Sequence, residues 1–197
     1  MADYTIISDV GNALVRLLRD TMVPDIIQNS DAIGLCSPSD KGDYMLGLYL
    51  YNIRESEEVF DTGMRPSGQN QQRYPSVYLN LFYMLTAYSM SDIKFRAAEE
   101  QRMIGRAIQV MADHPVLDAG LFGNAASVGR YPIRVEQQRL GNEERMRLWN
   151  MPNIPYKLSM YYKVFPVEIE SSRIRNVQRV QRVDMDVAES SEGPSKV

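Results

Sequence analysis

Apolar residues recur at intervals of three and four in two long segments of the chain. In residues 4–22 the repeating apolar positions are Ile7, Val10, Leu14, Leu17 and Leu18. In residues 92–114 they are Ala97, Ile104, Ala107, Ile108 and Met111. This spacing is typical of helices that bury one face, so both segments are predicted to be helices. Pro24 and Pro115 follow them, and proline ends a helix. A third, short helix is predicted after Gly141, where acidic residues occupy the first turn.

Alternation of apolar and polar or aromatic positions predicts β-strands elsewhere. The predicted strands are residues 32–36, 43–55, 76–88, 133–137 and 157–169. The segments 43–55 and 76–88 are apolar on both faces, which predicts that they pair and that neither face is fully solvated. Three helices are few for such a sheet, so we expect another surface, such as that of an identical neighbour, to cover part of it. Pro166 interrupts the last strand, which is therefore predicted to end the sheet or to bend.

The order of these elements is helix, strand, hairpin, helix, strand, helix and strand. It predicts an α/β (α+β) fold with a single mixed β-sheet flanked by about three helices. Residues 56–73 interrupt the pattern with a long polar stretch, which we expect to be either a functional loop or a disordered one. Residues 1–170 are expected to form one domain, since 197 residues with 44% hydrophobic composition can bury a core without a disulfide.

Residues 171–197 are predicted to form a C-terminal arm that divides by charge. Arg173, Arg175, Arg179 and Arg182 come first, with no acidic residue among them, and an acidic stretch follows. The last dozen residues are expected to be disordered. Within the arm, the alternating residues are Val183, Asp184, Met185, Asp186 and Val187. This alternation would suit a strand added to the edge of a partner's sheet, and a frayed tail is the alternative.

The residues that most catalytic and metal sites require are scarce. The chain has one cysteine, Cys36, and one histidine, His114, which nearly excludes a zinc site and most nucleophile pairs. Cys36 is predicted to be a buried structural thiol, and His114 a residue at the C-terminal end of a helix. Phosphate-binding glycine motifs are missing, and the paired carboxylates at 57–58 and 99–100 are adjacent and so point apart. We therefore expect no enzyme activity, no metal and no cofactor.

Charge and hydropathy favour neither a nucleic acid nor a membrane as partner. The net charge is −3, and residues 171–197 contain no aromatic side chain on which a base could stack. No apolar run approaches the ~20 residues that a membrane helix needs, and the first residues lack the basic start of a secretory signal. The chain is therefore expected to be cytoplasmic when it is synthesised.

Arginine dominates the basic residues, since only five of the 22 are lysine. Arginine, tyrosine and methionine are enriched in protein–protein interfaces, whereas lysine is depleted there. The composition therefore favours a protein that assembles. The candidate contact residues are Arg173, Arg175, Arg179 and Arg182 of the arm, with Arg65 and Arg73 of the polar loop. For the arginines between 173 and 182, an acidic protein surface or the chain's own acidic tail is the expected counterpart.

Several segments carry a family signature in a fixed order. They are IGLCSP (33–38), DKGD (40–43), LYLYNIRE (48–55), YLNLFY (78–83), TAYS (86–89), KFRAAEEQR (94–102), LWN (148–150), NIPYKLS (153–159) and KVFPVEI (163–169). Together they resemble the cap proteins of phage-tail-like contractile injection systems, which are similar to the tail terminators of contractile phages. The resemblance runs from residue 4 to residue 169, and none of its motifs is catalytic.

The resemblance implies a structural protein that forms a ring of six copies on the distal end of the inner tube. The ring would bind the last ring of the sheath, so the expected partners are further copies of the chain, the inner tube protein and the sheath protein. The chain would then be part of a phage-tail-like particle that could be released from the cell. The alternative is the terminator of a true contractile phage tail, in which the arginines between 173 and 182 face the DNA that passes from the head.

Overall fold

The computed structural model describes residues 3–123, 129–151 and 154–177. Within them the elements are α1 (Ile6–Met22), β1 (Ile33–Leu35), β2 (Leu46–Glu55), β3 (Arg65–Pro66), β4 (Gln71–Arg73), β5 (Val77–Ala87), α2 (Ile93–Asp113), β6 (Arg134–Gln137), α3 (Asn142–Leu148), β7 (Ser159–Ile169) and β8 (Ile174–Asn176). The three predicted helices and five predicted strands are present, with ends shifted by a few residues.

The alternating segments form one five-stranded sheet with the order β1-β2-β5-β7-β6. β1 is parallel to β2 and the other neighbours are antiparallel, so the sheet is mixed. The predicted pairing of the two long strands is confirmed, since Leu48 lies opposite Leu85 in the β2–β5 ladder. The fold class is therefore confirmed as a mixed α/β architecture.

The prediction that the strand containing Pro166 ends the sheet is wrong, because β7 lies between β5 and β6. The prediction of a bend there fits the register: Leu79 pairs with Val167 but Leu81 pairs with Val164, so β7 has an extra residue at this point. A bulge accommodates the missing N–H of proline inside a sheet.

Both faces of the central strands are packed within the chain. Leu48, Leu81 and Leu85 pack against α1 and α2 in the main core. On the opposite face, Met84 and Tyr161 pack with residues around α3 in a second, smaller cluster. The alternation of apolar side chains on both faces of β2 and β5 thus produces three layers, with two helices on one side and one short helix on the other.

The polar stretch 56–73 is not a structureless loop, because it contains β3 and β4. These two strands form a hairpin, and β8 of the predicted arm pairs with β4 through Gln71↔Asn176 and Arg73↔Ile174. The result is a second, three-stranded sheet with the order β3-β4-β8, which the sequence pattern did not predict. The polar stretch and the first residues of the arm each supply only short strands, and they form regular structure by pairing with each other.

The first half of α2 projects from the body of the protein. Its buried residues begin at Met103, while Ile93 is 82% exposed and Phe95 is 65% exposed. The placement of Ala97 on the buried stripe is therefore wrong, since Ala97 is also exposed. The helical spacing correctly predicts the helix but cannot show that the side chains at its start stay exposed.

Candidate assembly surfaces

Arg65 lies in a cluster of charged and polar groups between the small sheet and the large one. Its guanidinium donates to Glu168 Oε1 at 2.7 Å, donates to the Tyr78 hydroxyl and forms an ion pair with Asp61. The backbone N–H of Arg130 donates to the other carboxylate oxygen of Glu168 at 2.8 Å. We call Asp61, Arg65, Tyr78 and Glu168 the Arg65–Glu168 cluster.

The cluster is largely shielded from solvent, with side-chain exposures of 18% for Arg65 and 4% for Glu168. Burial by itself raises the pKa of Glu168, but the hydrogen bonds from the Arg130 backbone and from Arg65 outweigh it and hold that pKa below its usual value. The carboxylate is therefore ionised at neutral pH. Arg65 acts within the chain, where it connects β3 to β7 and β5.

Arg73 also makes its contacts inside the chain. Its guanidinium lies 3.3 Å from the Glu170 carboxylate and donates to the Ser171 carbonyl oxygen at 3.0 Å. Its side chain is 19% exposed. Arg73 therefore fixes the position at which the chain leaves β7 and enters β8.

Arg173 and Arg175 lie on the exposed side of the same small sheet. The Arg173 guanidinium stacks on the Tyr74 ring at 4.1 Å, which holds it in place without neutralising it. Arg175 is exposed on β8, which is an edge strand. Arg179 and Arg182 lie outside the described residues. The structure therefore brings four of the six predicted arginines to one small sheet, two of them in internal ion pairs and two on its surface.

The projecting end of α2 forms a second exposed surface, at the other end of β5. Met90 is 61% exposed and lies next to the exposed Ile93 and Phe95 described above. Two acidic residues anchor this region: the Lys157 ammonium donates to Glu100 Oε1 at 2.8 Å, and the Ser89 hydroxyl donates to Glu99. The hydrogen bond from Ser89, together with one from Ser91, lowers the pKa of Glu99. The sequence periodicity gave no sign that this apolar end would be exposed.

Metal-ligating side chains do not cluster among the described residues. No group of three or more His, Cys, Asp or Glu side chains among them could hold a metal ion. The His114 Nδ1 donates to the Val110 carbonyl oxygen at 2.9 Å, in the last turn of α2 as predicted. Cys36 is half-buried, and burial raises the pKa of its thiol, which keeps it protonated at neutral pH. No helix in the described part of the chain has the length and apolar character needed to span a membrane.

Comparison with known proteins identifies the family. The family model of the Pvc16 N-terminal domain matches residues 9–182. A solved structure of the PVC sheath/tube terminator of an extracellular contractile injection system, in its extended state, is similar with a TM-score of 0.68 and 16% identity, over 98% of this chain and 66% of that one. The anti-feeding prophage cap, a tube-terminating cap, is similar with a TM-score of 0.58 and 15% identity, over 91% of this chain and 61% of that one.

This chain thus spans slightly less than two thirds of the length of either solved relative. No curated protein sequence matches it. The fold likeness and the family match agree with the signature segments found in the sequence. The chain belongs to the Pvc16 N-terminal domain family, and its resemblance to the tail terminators of contractile injection systems is confirmed.

Proposed function

We propose that this protein is a structural cap of a contractile injection system, in which six copies form a ring that closes the distal end of the inner tube and anchors the last sheath ring. The observation that carries this proposal is the likeness to a sheath/tube terminator over 98% of the chain, together with the family match over residues 9–182. In this proposal the chain is made in the cytoplasm, has no enzymatic activity and becomes part of a phage-tail-like particle.

The exposed surfaces of the chain support assembly into a ring. A closed ring repeats one heterologous contact around an axis, so each subunit needs two different surfaces. The small sheet lies at the start of β5 and carries exposed arginines, while the projecting end of α2 follows the end of β5 and is apolar. The two surfaces therefore differ in chemistry and lie at opposite ends of the central strands.

The arginines are proposed to act in two ways. Arg173 and Arg175, with Arg179 and Arg182 further along the arm, would contact an acidic surface of the sheath or tube protein. Arg65 and Arg73 would stabilise the small sheet on which Arg173 and Arg175 lie, since the guanidinium groups of Arg65 and Arg73 are paired inside the chain. Long-range attraction between such surfaces increases the association rate and weakens with salt.

The proposal is tested by adding the purified chain to tube and sheath assemblies that lack a cap. Electron microscopy should show a ring at one end of each tube, and native mass spectrometry should show six copies. The double variant R173E/R175E should bind the assemblies at least tenfold more weakly, a loss of about 1.4 kcal/mol or more. R139E is the matched control, because Arg139 is an exposed arginine on the loop after β6, near the other end of β7.

A chain that stays monomeric at high concentration and binds neither tube nor sheath would overturn the proposal. Copurified nucleic acid with steeply salt-dependent binding would instead favour the terminator of a phage tail joined to a DNA-filled head. Equal binding by R173E/R175E and R139E would show that Arg173 and Arg175 do not contribute to the contact. It would not contradict the proposed cap function.

A further inference from the structure

Among the described residues, the outer edge of β2 has no neighbouring strand along more than half of its length. β1 pairs with β2 only from Leu46 to Leu48, and the last contact is the Cys36 N–H donating to the Leu48 carbonyl oxygen at 3.1 Å. From residue 50 to residue 55, no strand in the described part of the chain lies on this edge, although the inner edge stays paired with β5. Such an edge presents unpaired N–H and C=O groups that can bind a further strand.

An apolar groove lies beside the open edge, on the face of the sheet that carries α1. It has a volume of about 570 Å³, and its lining includes Tyr4, Ile7, Leu35 and Leu50. Leu35 is 41% exposed there. Ile53, which is 43% exposed, lies on the same face further along β2, because it is paired with the core residue Leu81. A strand on this edge would therefore find apolar surface on the α1 side.

The opposite face of the same edge is polar and carries free positive charge. A cavity of about 300 Å³ there is lined by Asn52, Arg54 and Arg147, among others. The Arg54 guanidinium lies over the Phe82 ring at 5.4 Å and has no carboxylate partner within the described residues. Glu144 also lines the cavity, where its carboxylate accepts a hydrogen bond from the backbone at the start of α3. Arg147 forms an exposed ion pair with Glu143 at 3.9 Å. A strand on this edge would therefore find the unpaired positive charge of Arg54 on the α3 side.

We propose that residues 183–187 of a second copy of this chain add to the open edge of β2 as a further strand. Successive side chains of a strand point to opposite faces. The apolar members Val183, Met185 and Val187 would enter the groove beside Leu50, and Asp184 and Asp186 would face Arg54 and Arg147. Both faces of the segment thus match the two faces of the edge in polarity, and the acidic side meets the basic side.

A second copy is proposed as the donor because a closed ring needs a repeated contact between neighbouring subunits. β8 is antiparallel to β4 and runs toward the tip of the β3–β4 hairpin, where the Val177 N–H donates to the Asn70 carbonyl oxygen at 2.9 Å. Five residues, 178–182, then precede the proposed strand and span at most about 17 Å. The proposal rests on the ring of the proposed function and identifies one contact between its subunits.

Paired cysteines in the full chain test the strand and its register. In a C36A background, one chain carries N52C and a second carries D184C, D186C or M185C, so a disulfide can form only between copies. Asn52 lies on the basic face, so oxidation should link N52C to D184C or D186C about tenfold more than to M185C. The reciprocal variant I53C, on the apolar face, should link preferentially to M185C.

The outcomes separate this contact from the cap itself. Links between copies with the stated face preference support the proposal, whether or not the chain then binds tube ends. A chain that caps tubes but gives no such link, or links without face preference, overturns the proposal and leaves the cap function standing. A link that forms only when both cysteines are on one chain, with a monomeric product, also overturns it.

A charge placed in the apolar groove gives a second measurement. M185D should reduce the N52C–D186C link at least fivefold, because a carboxylate would enter the groove lined by Leu35 and Leu50. D184N is the control and should retain most of the link, since it keeps the apolar face intact. An equal yield from M185D and D184N would overturn the proposed orientation of the strand.

Discussion

Glu168 shows how one side chain connects distant parts of this fold. It lies on β7, yet its carboxylate binds the Arg65 guanidinium from β3, the Tyr78 hydroxyl from β5 and the backbone of Arg130. The alternation in the sequence places Glu168 between the inward residues Val167 and Ile169, which predicts only a polar position. Its partners come from segments 38 to 103 residues away in sequence, so local pattern could not identify them.

Replacing Glu168 tests the contribution of this cluster to stability. E168Q should lower the free energy of unfolding by about 2 kcal/mol at pH 7, since Arg65 loses one of two carboxylate partners in a largely buried site. Urea unfolding followed by circular dichroism measures the loss. E136Q is the control, because Glu136 is an exposed carboxylate on β6, and it should change stability by less than about 0.5 kcal/mol.

The difference in stability between wild type and E168Q should also depend on pH. Folding lowers the pKa of Glu168, so its stabilising effect is present above the unfolded-state pKa and is lost as the pH falls through the folded-state pKa. The difference between wild type and E168Q should therefore shrink below about pH 4. A difference that stays constant between pH 7 and pH 3 would contradict this assignment.

At the scale of elements, α2 combines a buried half with an exposed one. From Met103 onward the helix packs on the sheet and α1, whereas its first turns leave Ile93 and Phe95 in solvent. The whole helix still forms, because its buried half is long enough to hold it and the hydrogen bonds at Glu99 and Glu100 anchor its start.

This division predicts that substitutions at the two ends of one helix differ strongly in their effect on stability. I93S/F95S should change the free energy of unfolding by less than about 0.5 kcal/mol, since neither side chain is buried. M103A should cost about 3 kcal/mol, because Met103 is fully buried and leaves a cavity. Thermal and urea unfolding of the two variants measure the contrast, and comparable losses would show that the first turns of α2 are packed.

At the scale of the whole molecule, the small sheet joins two segments that the sequence treats as separate. β3 and β4 come from the polar stretch, and β8 comes from the predicted arm. The division into a domain at 1–170 and an arm at 171–197 stays a prediction. Ser171 to Val177 nevertheless contact the hairpin, through Arg73 to the Ser171 carbonyl and Val177 to the Asn70 carbonyl.

Two deletions separate the structural part of the arm from the rest. Removal of 178–197 should leave the melting temperature within about 2 °C of wild type, because β8 and its contacts with the β3–β4 hairpin are kept. Removal of 171–197 should expose the β3–β4 hairpin and speed tryptic cleavage after Arg73 about tenfold, since β8 and the Ser171 carbonyl are gone. Thermal unfolding measures the first effect, and limited proteolysis with mass spectrometry measures the second. Equal cleavage rates in the two deletion variants would contradict the role of β8.

The sequence by itself determined the helices, the five strands of the large sheet, the pairing of β2 with β5 and the family signature. These follow from local spacing and from apolar side chains on both faces of the long strands, which require burial wherever they occur. Only the tertiary structure decided the position of β7 inside the sheet, the second sheet and the open edge of β2. Each of these depends on contacts between distant segments: a bulge accommodates Pro166, and β8 pairs with a polar stretch that has no strand pattern of its own. The lowered pKa of Glu168 also depends on the tertiary structure, since its hydrogen-bond donors contact it only in the folded chain.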